Sequence, residues 1–513
     1  MGDAHLDKSF PIPSVQPPSS LSPRAWPGST PESTTVLREL LQENHKRWHY
    51  YIDEVGRHNH TTHHLLALWS LGADANVLKA AYTSNCEWLL PAVTPPGAIT
   101  KDNFKDHLGK HEYYNAYEQF FEKELESRSV SDVLEEFIFS TEYNFDSARE
   151  AAGKEQPSMV VRFLDAIVHP LIHVGYGLEL SIPGMVTEGL AGAAIHRGTA
   201  SRMMKPAFFE QFSQPYGSFT SAMSLALNKI IPSAAPKVAS VHPLSIIARI
   251  RKDTRFDDFK PQSFLHLFDD MVNIHGDTLV EYANQWNLDF TTPDTVDKKF
   301  EELVWAVSVM YGIGGWNEGK GFQADFFNMH LITSSVFLPS ILPYLSPRSQ
   351  GILLRSFFLT AITWWVGHGR GYLDVRDYFK KDTAHPEFPG PRPTPIKGVF
   401  PSTTSPSAIT PNPWLPIIQS AIVHTDEHLP KIQRALAHYA HLYGNRVAGL
   451  PDFAETELEG AEWIDGSLFV RIAGMTAEYL GRMREGESGV LTKDKGHNFI
   501  GDFWSYEGFA ESR

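Results

Sequence analysis

The sequence predicts an all-α fold, a large multi-helix bundle in one domain with long proline-rich loops. Apolar residues recur at helical spacing along most of the 513 residues. No segment shows the period-two alternation of a half-buried strand, and no repeat of fixed period marks a solenoid.

Composition narrows the function classes. With 42% hydrophobic and 20% charged residues the chain can bury a sizeable core. A formal net charge of −15 and the lack of a basic stripe argue against nucleic acid as a partner. No run of about 20 apolar residues is present, so no transmembrane helix is expected. Cys86 is the only cysteine, which rules out an intramolecular disulfide and multi-cysteine zinc sites and fits a reducing, cytoplasmic setting. The start, MGDAHLDKSFPIPSVQPPSS, has the pattern of neither a signal peptide nor a transit peptide.

In chain order, residues 1–33 are rich in Pro and Ser and read as a disordered leader, with the helical domain spanning 34–513. Helical spacing begins with Val36, Leu37, Leu40 and Leu41. RHNHTTHHLLALWSLGAD then places His58, His60, His63 and His64 ahead of a helix ending near Gly72. His60 pairs at i,i+3 with His63 and at i,i+4 with His64, so either can share its face. Beyond the break at Pro95-Pro96-Gly97, the stripe Tyr113, Tyr114, Tyr117, Phe120 and Phe121 reads as core, and Asp132 with Glu135 reads as a capping-box start.

The central stretch, VHPLIHVGYGLELSIPGMVTEGLAGAAIHR, sets His169, His173, Glu179, Glu188 and His196 in an apolar, helix-forming run. His169 and His173 are four apart, on one helical face, and Pro170 suits a helix start. Buried polar groups need partners, so this density points to a site. SAMSLALNKII, Phe264–Trp286 and Val296–Met310 read as further helices. Gly312, Gly314 and Gly315 superficially match a dinucleotide fingerprint, but no βαβ rhythm surrounds them, so they read as a flexible turn. The next helix carries Asp325 and His330, and the one after it Trp364, Trp365 and His368. Residues 382–413 read as a long Pro-rich loop or lid. His424 and His428 are again four apart and could form a metal pair, but the charges of Asp426 and Glu427 between them favour a solvated or interdomain face.

The segments HNHTTHHLLALWSLGA, NFKDHLGKHEYYNAYEQFF, HPLIHVGYGLEL with EGLAGAAIH, DFFNMHLITSS and SAIVHTDEHLPKIQRAL resemble the questin oxidase-like family of fungal secondary metabolism. The resemblance runs from about residue 50 onward. It implies an α-helical oxygenase that opens the central ring of anthraquinone-type polyketides by Baeyer–Villiger-type oxidation, with NADPH as a commonly attached cofactor. The chain itself carries no recognisable NADPH or flavin motif.

The residues suggest another way to activate O2. His60 with His63 or His64, together with His169, His173 and His330, can converge on one ion in a helical bundle. Imidazoles without thiolates, with O2 as co-substrate, favour Fe(II). Glu179, Glu188, Asp325 and Asp426 are candidate carboxylate ligands, and Lys320, Lys380 and Lys381 are candidates for modification by CO2. His60 and Tyr176 are the candidate catalytic residues, with Tyr176 or Tyr114 hydrogen-bonding a phenolic substrate. The alternatives are an NADPH-dependent Baeyer–Villiger monooxygenase without metal, and a helical carrier of an aromatic ligand. A serine hydrolase is disfavoured because no G-x-S-x-G elbow is present.

Overall fold

The computed structural model describes residues 2–53, 56–212, 241–288, 293–386, 394–402, 404–481, 503–506 and 508. Among these, the helices of eight residues or more are α1 (Gly2–Ser9), α2 (Pro31–Arg47), α3 (Thr61–Ser70), α4 (Ala75–Asn85), α5 (Tyr114–Ser127), α6 (Asp165–Leu180), α7 (Pro183–Ile195), α8 (Pro243–Lys252), α9 (Leu267–Asn284), α10 (Pro293–Ser308), α11 (Phe326–Ser335), α12 (Pro347–Gly367), α13 (Trp414–Ile422), α14 (His428–Tyr443) and α15 (Leu468–Leu480). Trp316–Asn317 and Gly321–Phe322 form a two-stranded antiparallel hairpin. The all-α expectation holds.

Local chemistry sets the helix starts. Thr30 and Ser33 form a capping box ahead of α2, with Pro31 in its first turn. Asp74 accepts the amides of Asn76 and Val77 at 2.9 Å to start α4. The capping expected at Asp132 begins three residues earlier, where Ser129 accepts the Asp132 amide at 3.1 Å. The stretch expected as a turn around Gly312 is a π-helical turn, Val309–Ile313, followed by the small hairpin.

Helices α6 and α7 pack unusually close. A Cβ on Gly177 would lie 2.7 Å from the Val186 backbone nitrogen, and one on Gly189 would lie 2.7 Å from that of Val174. Only glycine permits that approach, and it brings Glu188 up to His173. Around this hairpin α3, α6, α11 and α14 form a ring in which each packs on the next, and each carries at least one buried histidine. The stretch Phe326–Tyr344 is apolar and long enough to cross a membrane, but 89% of it is enclosed by the rest of the protein.

The expectation of a disordered leader is overturned. Residues 2–9 are helical, Phe10 is fully buried, and its ring fills the space beside Gly184. Ser14 N–H donates to the Leu180 carbonyl at 2.7 Å and Trp26 N–H to the Ser70 carbonyl at 2.7 Å. The Pro/Ser-rich composition hid this because isolated anchors such as Leu6 and Phe10 show no period. The helix expected at SAMSLALNKII and part of the 382–413 loop (387–393 and 403) lie outside the described residues. The loop's described part is mainly open to solvent, with Ile396 77% and Phe400 92% exposed.

Candidate metal centre

Three imidazoles reach the centre in one chemical state. His169 begins the right-handed part of α6, after three residues held in the left-handed region: Ala166 (φ 46°), Ile167 (φ 60°) and Val168 (φ 67°). That reversal brings the Ala166 carbonyl to 2.5 Å from His169 Nδ1. On α11, His330 Nδ1 donates to the Phe326 carbonyl at 2.7 Å. His60, at the N-terminus of α3, donates from Nδ1 to Glu427 Oε1 at 3.1 Å. With Nδ1–H committed to an oxygen, each ring keeps a bare lone pair on Nε2, the arrangement by which proteins aim histidines at metals.

The Nε2 atoms of His60 and His169 stand 2.6 Å apart. Burial in first place, then the neighbouring charges of Lys431, His428 and His330, hold His60, His169 and His330 well below the ordinary histidine range. They are neutral at pH 7, and two lone pairs at that separation repel unless a cation lies between them. The His330 Nε2 has no hydrogen-bond partner among the described residues, nor does either ring nitrogen of His428.

Two overlapping triads have ligand nitrogens within 4.8 Å of one another: His58, His60 and His169, and His60, His330 and His428. The His428 ring sits 4.7 Å from that of His60 and 5.1 Å from that of His330. This all-imidazole, buried, partly unpartnered donor set fits a borderline divalent metal such as iron, copper or zinc. Trp504 closes one side, its Nε1–H donating to Asp426 at 3.1 Å, while Tyr506 packs on Phe326 at 4.8 Å.

Comparison with known proteins places this architecture. The family model described as questin oxidase-like matches residues 57–436. The chain belongs to the questin oxidase-like family. It is 25% identical over 450 residues to the questin oxidase of Aspergillus fumigatus, covering 86% of this chain and 87% of that protein. It is 26% identical over 463 residues to the Baeyer–Villiger oxidase mdpL of Emericella nidulans, covering 87% and 88%. To the Baeyer–Villiger oxidase GME11358 of Pestalotiopsis microspora it is 25% identical over 368 residues, covering 69% and 74%. The protein is an oxidoreductase of the oxygenase type.

In this questin oxidase-like protein, His60, His169 and His330 come together, and His64 and His173 do not join them. His64 turns a helical step away, and its Nδ1 meets the Asn85 amide of α4 at 3.2 Å. His173, one turn beyond His169, faces His63 and Glu188 instead. Tyr176 stacks on His63 at 5.6 Å and lies beneath the Arg434 guanidinium at 5.4 Å.

Of the proposed carboxylates, Glu179 pairs with Arg434, Glu188 with His45 and Asp325 with His368, while Asp426, which accepts from Trp504, also stands with Glu427 and His428 in a group that could hold an ion. Lys320, Lys380 and Lys381 are exposed, away from any such centre. A lysine buried beside His428 is Lys431, one turn along α14, with burial drawing its pKa down to about 8 against the pull of Glu427 and Asp426. His428 and Lys431 were hidden because TDEHLPK reads as a solvated face; α14 is instead walled in by its neighbours, leaving His428 1% and Lys431 6% exposed. His58 was visible only as one of four clustered histidines.

Behind the centre, His45 on α2 contacts Glu118 of α5 at 3.4 Å and Glu188 of α7 at 2.9 Å. Burial opposes its charge, but Glu118 and Glu188 prevail and raise its pKa to about 9. Burial pushes the Glu118 carboxyl up to about 7. A raised folded-state pKa stabilises below the unfolded value and loses that stability as pH rises through the folded one. Stability is therefore expected to fall by about 2 kcal/mol between pH 6.5 and 9. Urea midpoints across that window check it, and His45→Gln should flatten the slope.

Proposed function

We propose that the protein is a non-heme iron oxygenase that opens the central ring of an anthraquinone-type polyketide, using O2. The observation that carries the reading is the set of facing, neutral Nε2 lone pairs of His60, His169 and His330, each fixed by an oxygen on Nδ1. His60, His169, His330 and His428 would hold the metal. Lys431, its amine uncharged for an appreciable fraction of the time near pH 8 and open to CO2, would add one carbamate oxygen to this all-nitrogen set. Bound iron supplies the electron chemistry that lets triplet O2 react with an electron-rich ring.

The chain's own residues do the rest. Glu427 and the Ala166 and Phe326 carbonyls fix which nitrogen of His60, His169 and His330 is free. Phe326, Trp504 and Tyr506 exclude water from the His428 side. Tyr176, kept protonated by burial, is the donor assigned to a phenolic oxygen of the substrate. The relatives named Baeyer–Villiger oxidases favour insertion of one oxygen atom over cleavage with both, and labelled O2 separates the two by the count of heavy oxygen in the product.

The direct test is metal analysis of protein purified without chelator or polyhistidine tag, with anaerobic Fe(II) reconstitution. About one iron per chain, needed for O2-dependent consumption of a hydroxyanthraquinone or its hydroquinone, is the expected result. Metal-free protein that turns over with a strict NADPH demand overturns it.

A further inference from the structure

Behind the histidine centre three helices bring a second, chemically different set of donors together. His45 near the end of α2, Glu118 in α5 and Glu188 in α7 place one imidazole nitrogen and two carboxylate oxygens within 4.8 Å of one another. His45 Nδ1 stands 2.9 Å from Glu188 Oε1 and 3.4 Å from Glu118 Oε1. None of the three belongs to either histidine triad. All three line a cavity of about 10 Å³, the room that one water-sized particle takes up.

Ion pairing alone does not complete this cavity. Tyr50 also lines it, 3% exposed, and its hydroxyl has no hydrogen-bond partner among the described residues. Burial first, then Tyr51 and the Glu188 carboxylate, raise the pKa of that hydroxyl, so it meets the cluster as a neutral group. The charges do not balance either. With a proton on His45 and both carboxylates ionised, the cluster carries one net negative charge in the interior, and burial pushes Glu118 up to about 7 against the pull of His45. A buried charge left without compensation is costly, and a divalent ion beside a neutral imidazole brings the sum to zero. The surrounding contacts aim the oxygens. Asn115 Nδ2 donates to Glu118 Oε2 at 3.1 Å, and Glu188 Oε2 faces His173 Nε2 at 3.5 Å, so the Oε1 of each carboxylate is the one turned to His45.

We propose that His45, Glu118 and Glu188 form a second metal site, for a first-row divalent ion such as Mn2+, Fe2+ or Zn2+, with the Tyr50 hydroxyl as its outer neighbour. One imidazole with two carboxylates and no thiolate suits that class, whereas the first centre is all imidazole. The ion ties α2, α5 and α7 together, whatever reaction the first centre runs. It has to displace the His45 proton, which burial opposes but Glu118 and Glu188 hold with a pKa of about 9. The second site is therefore the weaker one, and purification without added metal returns the iron of the first centre alone. The loss of stability between pH 6.5 and 9 belongs to the form that carries this proton.

The test is a Mn2+ titration of the full chain as purified, followed by the electron paramagnetic resonance of the free ion. The wild type is expected to bind about one Mn2+ per chain beyond the metal it already holds. Glu118→Gln and His45→Gln are expected to bind it about tenfold or more weakly and to keep the metal of the first centre. His330→Ala, which lacks the first centre, should still take up the same Mn2+, so the result stands apart from the oxygenase reading. If neither cluster variant folds, anomalous scattering at the manganese edge from wild-type crystals soaked in Mn2+ locates the ion, with a peak expected between the three side chains. No Mn2+ bound beyond the first metal, equal affinity in the folded variants, loss of uptake in His330→Ala or an anomalous peak elsewhere overturns the proposal. Loss of the first metal from Glu118→Gln and His45→Gln overturns it as well, because the cluster would then be a support of the first centre.

Discussion

His330→Ala is expected to leave a folded protein with no bound iron and no turnover. His330 contributes an Nε2 without a partner, while its Nδ1 is tied to the Phe326 carbonyl at 2.7 Å. Loss of an outer partner alone typically costs about 10–100-fold in metal affinity, and loss of the ligand itself costs more. His330 is neutral, so its removal leaves a small cavity rather than an unpaired charge. Iron analysis and O2 uptake on His330→Ala, beside a helical circular-dichroism spectrum like the wild type's, check the expectation. Full iron with wild-type turnover would remove His330 from the centre.

The second large effect concerns stability. Arg434 on α14 and Glu179 on α6 form an ion pair, with Arg434 3% and Glu179 2% exposed. The guanidinium also lies over the rings of Tyr176 and Phe337, at 5.4 and 5.8 Å. Arg434→Met strands a carboxylate in the interior, a change that costs about 3–5 kcal/mol. Removing both charges in Arg434→Met/Glu179→Leu avoids that penalty, and the double variant should recover most of the loss. Denaturant midpoints of the two variants give the comparison. A double variant no more stable than the single one would show that the guanidinium acts through its ring contacts rather than through Glu179.

Much of the fold was legible because the helices obey local rules. The spacing of Val36, Leu37 and Leu41 and the aromatic stripe from Tyr114 to Phe121 turn inward as their period requires. The centre was legible in part, because His169 and His330 sit in apolar runs where an imidazole needs a purpose and His60 belongs to a cluster of four histidines. The choice between His63 and His64 was not legible. Both are fully enclosed, and only the packing of α4 and α6 decides that His64 meets Asn85 while His63 meets His173. His428 and Lys431 were read as solvent-facing because their charged neighbours set the local pattern. The burial of α14 depends on α3, α11 and α15, which are far away in sequence. Periodicity reports which residues share a face; it does not report what that face meets.

The left-handed run before His169 has a consequence for anyone seeking a sturdier variant. Each non-glycine residue held there costs about 1–2 kcal/mol relative to a right-handed turn, and Ala166, Ile167 and Val168 all carry that cost. Glycine at these positions would relieve the cost in the folded chain while freeing the hinge that aims one imidazole. The segment that looks most open to improvement is thus the one where rigidity is the useful property. Gains in heat resistance are better sought in the exposed loop around Ile396 and Phe400, whose described residues touch none of the centre's ligands.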